Sequence, residues 1–158
     1  MHTHRKGFTL VEILIVVVIL GILAAIVIPQ FTNAGETAKA SSLISQLQTI
    51  RSQLELYRVQ HRGDYPVLTT NWNQMTGKTD SDGTANASGD FGPYLQQSPV
   101  NPFEDSFTVS GTDAADGTAA ADVGWVWVSG QIKACIEAAK ATEVGLTNTN
   151  DIATYTAS

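Results

Sequence analysis

The stretch FTLVEILIVVVILGILAAIVI, from Phe8 to Ile28, decides how the rest of the chain is arranged. Eighteen of its 21 residues are apolar, and Glu12 is its only charged residue. As a helix rising about 1.5 Å per residue, the stretch extends for roughly 31 Å, which is enough to cross the hydrocarbon core of a bilayer. The sequence therefore predicts a transmembrane helix and excludes a plain soluble globule.

Charge is distributed unevenly around this helix. Arg5 and Lys6 precede it, whereas the whole chain has 9 basic and 15 acidic residues and a formal net charge of −6. Basic residues beside a membrane helix favour the cytoplasmic side, so the N-terminus is expected there. The acidic surface repels phosphate backbones, and no nucleic acid partner is expected. A secretory signal cut near Ala34-Gly35 is the alternative, but its apolar region usually has only about 7 to 15 residues.

A motif at the start of the helix narrows the function. The sequence KGFTLVE at residues 6–12, followed by the apolar run and Pro29, resembles the class III signal of type IV pilins and pseudopilins. The resemblance implies that residues 1–7 are a prepilin leader and that a prepilin peptidase cuts between Gly7 and Phe8. It also implies that the peptidase then methylates the new amine of Phe8. Residues 8–28 are then the transmembrane and assembly helix.

Glu12 is the most informative residue of this motif. A charged carboxylate in an apolar helix costs a few kcal/mol in lipid, so it needs a partner or a purpose. The resemblance implies that Glu12 registers each subunit against its neighbour during assembly. Cleavage would leave a positive amine at Phe8, and this amine can neutralise Glu12 of another subunit only at one axial stagger. The alternative is that Glu12 reaches water at the membrane surface and has no role.

A stripe of apolar residues continues the helical pattern. It comprises Leu43, Leu47, Ile50, Leu54 and Tyr57. These spacings place the stripe on one helical face, and its short extent favours packing on a domain core over a coiled-coil dimer. We therefore predict an amphipathic continuation of the helix over residues 29–62, with a kink at Pro29 and a C-cap at Gly63.

Residues 63–158 are predicted to form a small loop-rich domain. Glycine-rich residues 76–92 predict a long loop. Strands are predicted at Phe107–Ser110, Gly124–Ser129 and Gln131–Cys135, followed by a helical turn at Ile136–Ala141 and a mobile tail beyond Gly145. The fold class is α+β, with the long N-terminal helix packed on a small antiparallel β-sheet, as in the pilin-like fold.

Two further motifs indicate one branch of the family. Tyr65-Pro66 after the helix and the turn Asn101-Pro102-Phe103 are similar to motifs of major pseudopilins of type II secretion. Those proteins carry an Asp-Pro-Trp type of turn, so Asn101 and Phe103 depart from the pattern. Many adhesive pilins have paired cysteines, whereas Cys135 is the only cysteine here and cannot form an internal disulfide.

The sequence gives no support for catalysis. It contains no phosphate-binding loop or dinucleotide glycine pattern, and only His61 would remain after loss of the leader. No cofactor is expected apart from calcium, which major pseudopilins often bind in a C-terminal loop. The resemblance makes Asp113, Asp116 and Asp122 the calcium candidates. Asp80-Ser81-Asp82-Gly83 opens like an EF-hand loop but has Phe91 at the twelfth position, where a glutamate is required.

The resemblance implies a structural subunit, not an enzyme, that polymerises into a pilus-like filament of a type II secretion system. The implied partners are further copies of the chain, minor pseudopilins, the prepilin peptidase, membrane lipid, and the inner-membrane assembly platform with its ATPase. The chain would cross the bacterial inner membrane once, with its C-terminal domain in the periplasm. Two alternatives are a type IV pilin for adhesion, motility or DNA uptake, and a single-pass membrane-anchored binding module.

Overall fold

Helix α1, Leu10–Gln60, is the longest element of the chain. The computed structural model describes residues 7–69, 71–111, 119–128 and 131–157, without the side chains of Pro29, Thr32 and Asn33. The chain divides into two compact units, one ending at Ala38 and the other beginning at Lys39. The backbone of α1 is helical through Pro29. The kink and the domain boundaries drawn from the sequence remain predictions.

The apolar stripe of α1 belongs to the core of the unit that begins at Lys39. Its five residues are buried, from 0% exposed for Leu43 to 3% for Leu54. They share one core cluster with residues of the sheet, including Trp125, Trp127 and Ile132. Burying each large aliphatic side chain stabilises the fold by about 1.5–3 kcal/mol relative to its exposure. The predicted packing of the stripe on a domain core is confirmed.

The end of α1 has the hydrogen-bond pattern of a Schellman motif. The Gly63 N–H donates to the Arg58 carbonyl oxygen at 2.9 Å, and a turn follows at residues 61–63. Arg62 takes the left-handed conformation at φ 60°, and Gly63 follows at φ 99°. The helix therefore ends at Gln60, slightly before the predicted end, and Arg62 occupies the left-handed position that was expected for Gly63.

Four strands form one sheet in the order β1-β2-β3-β4. They are β1 Val109–Ser110, β2 Trp125–Val128, β3 Gln131–Glu137 and β4 Ile152–Tyr155. Strands β2 and β3 are antiparallel, whereas β1 pairs with β2 and β3 pairs with β4 in parallel. The prediction of an antiparallel sheet is therefore right only for the central pair. The two parallel pairs arise because long connections carry the chain back across the sheet.

The three predicted strands correspond to β1, β2 and β3, with shifted ends; Ser129, the last residue of the second, lies outside the described residues. The prediction of a mobile tail beyond Gly145 is wrong, because β4 pairs with β3 and Ile152 is only 4% exposed. The predicted helical turn is helix α3, Ala138–Glu143, which begins two residues later because β3 continues to Glu137. The short helix α2, Asn73–Thr76, was not predicted.

The predicted loop after α2 contains only isolated bridges, from Thr79 to Ala85 and from Thr79 to Phe91. Thr79 is fully buried, and its hydroxyl lies 2.9 Å from His61 Nε2. The other ring nitrogen, Nδ1, lies 2.8 Å from the Tyr57 carbonyl oxygen and must donate to it, because a carbonyl oxygen can only accept. His61 is thus a buried structural link between the end of α1 and this loop.

Candidate functional site

The predicted cleavage bond lies in a non-helical segment before α1. Gly7, Phe8 and Thr9 precede the first helical residue, and Phe8 is 77% exposed. Apart from Gly7 and its chain neighbours, no described residue has an atom within 4 Å of the position that a Cβ would take on Gly7. A peptidase can therefore reach the Gly7–Phe8 bond without unwinding the helix. The remainder of the predicted leader, residues 1–6, lies outside the described residues.

Thr9 and Glu12 form part of a helix cap that the sequence analysis missed. The Glu12 N–H donates to Thr9 Oγ1 at 3.3 Å, and the Ile13 N–H donates to the Thr9 carbonyl oxygen at the same distance. Thr-x-x-Glu before an apolar run is the signature of a capping box. Glu12 also lies in the first turn, where a negative charge interacts favourably with the helix dipole. The cap bond thus comes from the backbone N–H of residue 12, and the Glu12 carboxylate itself contributes only its favourable interaction with the helix dipole.

The apolar part of α1 exposes its side chains on every face. The span Leu10–Ile28 has 19 residues and a mean hydropathy of 3.3, and none of it is buried. Its large apolar side chains range from 41% exposed at Val27 to 81% at Leu10. This length and composition suit a membrane crossing. An apolar surface of this extent needs lipid or other apolar helices around it.

The calcium candidates are only partly described. Asp113 and Asp116 lie outside the described residues. Asp122 is exposed, with φ 63°, and its carbonyl oxygen accepts hydrogen bonds from the hydroxyls of Ser106 at 2.6 Å and Thr108 at 2.8 Å. Among the residues that the structure describes, no three His, Cys, Asp or Glu side chains form a group suited to a metal. Calcium binding remains a prediction from the resemblance.

The EF-hand-like opening at Asp80 is part of a local turn. Both carboxylate oxygens of Asp80 accept from Asn86 Nδ2, at 2.9 and 3.2 Å. Asp82 Oδ1 accepts from the Thr84 N–H at 2.9 Å, and this bond is the main reason that the pKa of Asp82 is lowered. Both carboxylates therefore have hydrogen-bond partners within the turn itself.

Tyr65 joins the end of α1 to the sheet. Its hydroxyl donates to Glu55 Oε1 at 2.7 Å. Its ring packs edge-on against the Trp127 ring, with 5.2 Å between the ring centroids. The Arg58 guanidinium lies 5.1 Å from the centre of the Tyr65 ring. Burial, followed by the hydrogen bond to Glu55, raises the pKa of the Tyr65 hydroxyl. The Tyr-Pro motif therefore has a packing role in this fold.

Asn101 is the polar centre of the turn that departs from the family pattern. It is fully buried, and its Nδ2 donates to the carbonyl oxygens of Gly124 at 2.8 Å and Cys135 at 2.6 Å. Its Oδ1 accepts from the Phe103 N–H at 2.9 Å. An ionised aspartate cannot donate the first two bonds. The asparagine is thus suited to joining this turn to β2 and β3.

Comparison with known proteins gives a family match for each of two parts of the chain. Residues 2–28 match the prokaryotic N-terminal methylation motif, and residues 30–124 match the family described as type II secretion system (T2SS), protein G. The motif covers Gly7, Phe8 and Glu12, whereas the family match covers most of the domain, including Tyr65 and Asn101. No solved structure matches the chain significantly.

Individual relatives come from two kinds of system. The chain is 35% identical over 101 residues to type II secretion system core protein G of Pseudomonas aeruginosa, covering 63% of this chain and 69% of that protein. The match to the core protein G of Dickeya chrysanthemi, 39% identical over 59 residues, covers only 39% of that protein. Type IV major fimbrial protein FimA of Dichelobacter nodosus is 46% identical over 55 residues, 35% of each chain. The chain belongs to the type II secretion system protein G family.

Proposed function

We propose that this chain is a pseudopilin, a structural subunit whose polymerisation into a pilus-like filament drives protein export across the outer membrane. The observation that supports this proposal best is the arrangement at the start of α1. An open Gly7–Phe8 bond is followed by 19 unburied residues of high hydropathy, among which Glu12 is the only charge. A simple membrane anchor requires neither the accessible bond nor the charge.

Cleavage after Gly7 prepares the subunit for assembly. It frees a positive amine on Phe8, close to the N-terminus of α1, where the helix dipole already favours negative charge. Glu12 of an adjacent subunit supplies that charge when two helices pack at the matching stagger. The apolar side chains of the span exchange lipid for neighbouring helices as the subunit leaves the membrane, so charge pairing rather than hydrophobicity selects the register.

The remaining partners follow from this role. The prepilin peptidase acts first, and an inner-membrane platform with its ATPase supplies the force, since the sequence contains no phosphate-binding loop. Minor pseudopilins join the same filament. The domain beginning at Lys39 lies in the periplasm, because the basic residues Arg5 and Lys6 keep the other end of the helix in the cytoplasm.

Replacement of Glu12 by alanine should leave processing and membrane insertion intact but reduce filament yield by about tenfold or more. The variant lacks the charge that sets the register, and a tenfold change corresponds to only about 1.4 kcal/mol per contact. The measurement is the amount of sheared filament per amount of processed subunit in membranes. Glu12→Gln, which keeps the size and polarity of the side chain without its charge, should show the same loss.

Thr9→Ala is the matched control, because Glu12 also lies in the helix cap. This substitution removes the hydroxyl that accepts from the Glu12 N–H and should destabilise the helix start by about 1 kcal/mol without changing any charge. The yield of sheared filament per processed subunit should be higher for Thr9→Ala than for Glu12→Gln. Equal loss in the two variants would assign the effect to a weakened helix start, and normal filaments from both Glu12 variants would contradict charge pairing.

Replacement of Gly7 by aspartate should block cleavage, because the resemblance assigns this glycine to the peptidase site. Aspartate would place a charged side chain beside the bond that the peptidase cuts. Mass spectrometry of the membrane-bound protein should find the full-length precursor and no methylated Phe8. Gly21→Ala, which also introduces a side chain into open space, should be processed normally. A cleaved and methylated Gly7→Asp protein would contradict the assignment of the site.

A surface pilin is the second candidate, favoured only by the match to the fimbrial protein FimA. Deletion of the gene separates the two functions. Lost protein secretion with intact surface filaments supports the pseudopilin, whereas lost surface filaments with intact secretion supports the pilin. Restoration by the unaltered gene and not by Glu12→Gln would connect the phenotype to assembly.

A further inference from the structure

The exposed apolar surface of α1 continues past the span Leu10–Ile28. Phe31 follows three residues after Ile28 and is 74% exposed, more than any large apolar side chain of the span except Leu10. Val27 and Ile28 precede it by four and three residues, so they lie on the same helical face, and both are exposed as well. Phe31 thus extends this apolar surface beyond the span to which the proposed function assigns lipid.

The charged residues of this part of α1 bracket a segment longer than the span. Glu12 and Glu36 are separated by 23 uncharged residues, from Ile13 to Gly35. Both glutamates belong to the continuous helix α1, so at 1.5 Å per residue they lie about 36 Å apart along its axis. The hydrocarbon core of a bilayer is only about 30 Å thick. A membrane can therefore lie between the two glutamates without enclosing either carboxylate.

The position of Phe31 selects one placement of the helix. Phe31 follows Glu12 by 19 residues, or about 28 Å along the helix, which is close to the thickness of the hydrocarbon core. If Phe31 lies at one boundary of the core, Glu12 therefore lies at the other. If Ile28 lay at that boundary instead, Glu12 would be about 6 Å inside the core, because only about 24 Å separates it from Ile28. A charge within lipid is costly, so the placement that ends at Phe31 is favoured.

We propose that the membrane-embedded segment of the unassembled subunit extends from Ile13 to Phe31, with the Phe31 ring at the apolar side of the lipid interface. Aromatic side chains form belts at the interfaces of membrane helices, and phenylalanine is among the residues that interfacial helices insert at this depth. Glu12 then contacts lipid headgroups and water before assembly, and the amine of a neighbouring subunit after it. The inference deepens the proposed function and rests on the membrane insertion which that function requires.

The same placement keeps the cleavage bond out of the hydrocarbon core. Phe8 precedes Glu12 by four residues, which corresponds to about 6 Å or more because the residues before Leu10 are not helical. With Glu12 at the boundary, the Gly7–Phe8 bond lies among the headgroups, where a peptidase at the membrane surface can reach it. A helix that entered the lipid at Phe8 would instead place this bond at the edge of the core.

Quenching of tryptophan fluorescence in vesicles tests this placement. The full-length protein is reconstituted in phosphatidylcholine vesicles that carry bromine atoms either near the headgroups or deep in the acyl chains. Its own tryptophans, Trp72, Trp125 and Trp127, are buried in the domain and should give a constant, unquenched signal. Phe31→Trp should be quenched most strongly by the shallow bromine atoms. Ile22→Trp, at the middle of the proposed segment, should be quenched most strongly by the deep ones.

Removal of the Phe31 ring should move the helix through the membrane. With Leu10→Trp as the reporter of depth, the added substitution Phe31→Ser should bring residue 10 about 4–5 Å closer to the bilayer centre, because the apolar segment then ends three residues earlier, at Ile28. The reporter is the same in both proteins, so the preference of tryptophan for the interface does not cause the difference. Ala34→Ser, which makes another exposed apolar position polar about one turn further along, should not move the reporter.

Val59→Trp is the unquenched reference, because Val59 is 79% exposed on α1 but belongs to the unit that begins at Lys39. Quenching of Phe31→Trp no stronger than that of Val59→Trp would overturn the placement, and so would an unmoved reporter in the Phe31→Ser protein. If Ile22→Trp is quenched normally in the same vesicles, only this inference fails. An Ile22→Trp protein that neither lipid quenches would contradict membrane insertion, and the proposed function would fail with it.

Discussion

Asn101→Asp is expected to destabilise the domain by about 3 kcal/mol or more and to lower its unfolding temperature by roughly 6–12 °C. The substitution replaces one heavy atom, the amide nitrogen, by an oxygen and leaves the packing volume almost unchanged. It removes both N–H donors from the carbonyl oxygens of Gly124 and Cys135, which lie 2.8 and 2.6 Å from Asn101 Nδ2. It also places a negative charge between them in a site with no exposed surface. Thermal unfolding of the full-length protein in detergent, followed by circular dichroism, measures the effect.

Asn71→Asp is the matched control. Asn71 is exposed, and its Oδ1 only accepts, from the Asn73 N–H at 2.9 Å, so an aspartate can replace it without loss. Its unfolding temperature should remain within about 1–2 °C of that of the unaltered protein. For Asn101→Asp, mild acid should recover part of the difference, since burial favours the neutral carboxyl. Equal stability of the two variants at neutral pH would show that Asn101 does not hold the turn through its donors.

Gly124→Ala is expected to cost about 2–4 kcal/mol, because the new methyl group has no room. An ideal Cβ on Gly124 would lie 2.1 Å from the Ser106 carbonyl oxygen and 2.7 Å from its carbonyl carbon. The obstacle is backbone and not the flexible end of a side chain, so β2 would have to move away from the preceding turn. That movement also strains the bond from the Cys135 N–H to the Gly124 carbonyl oxygen, at 3.0 Å.

Gly35→Ala tests whether the effect is due to the clash and not to loss of a glycine. Gly35 lies in α1, and no described atom outside its own stretch of helix backbone approaches within 4 Å of its would-be Cβ. Alanine there should leave the domain unchanged or raise helix stability by about 1 kcal/mol. A Gly124→Ala protein that unfolds at the temperature of the unaltered chain would mean that the turn around Ser106 adapts freely.

Much of the fold could be predicted because its signals are local. The spacing from Leu43 to Tyr57 identified the buried face of α1, and alternation around Trp125 identified the central strand. Strand β4 could not be predicted in this way. Ile152 stands among polar residues, and its pairing with Ala134 depends on backbone partners distant in sequence. The parallel direction of two strand pairs was missed for the same reason, since composition does not specify how a connection crosses the sheet.

The candidate sites were predictable under the same condition, namely that their signal is local in the sequence. Gly7, Phe8 and Glu12 could be predicted because the motif is contiguous, and Thr9 as the cap could have been found from the Thr-x-x-Glu spacing.

The burial of Cys135 has a practical consequence for labelling experiments. It is the only cysteine of the chain, it is fully buried, and burial raises the pKa of its thiol to about 11. At neutral pH only roughly one thiol in 10⁴ is then ionised, and the thiolate is the form that reacts with maleimides. A cysteine introduced on the surface can therefore carry a fluorophore or spin label in the otherwise unaltered protein. Distances between neighbouring subunits then become measurable without first removing Cys135 from the core.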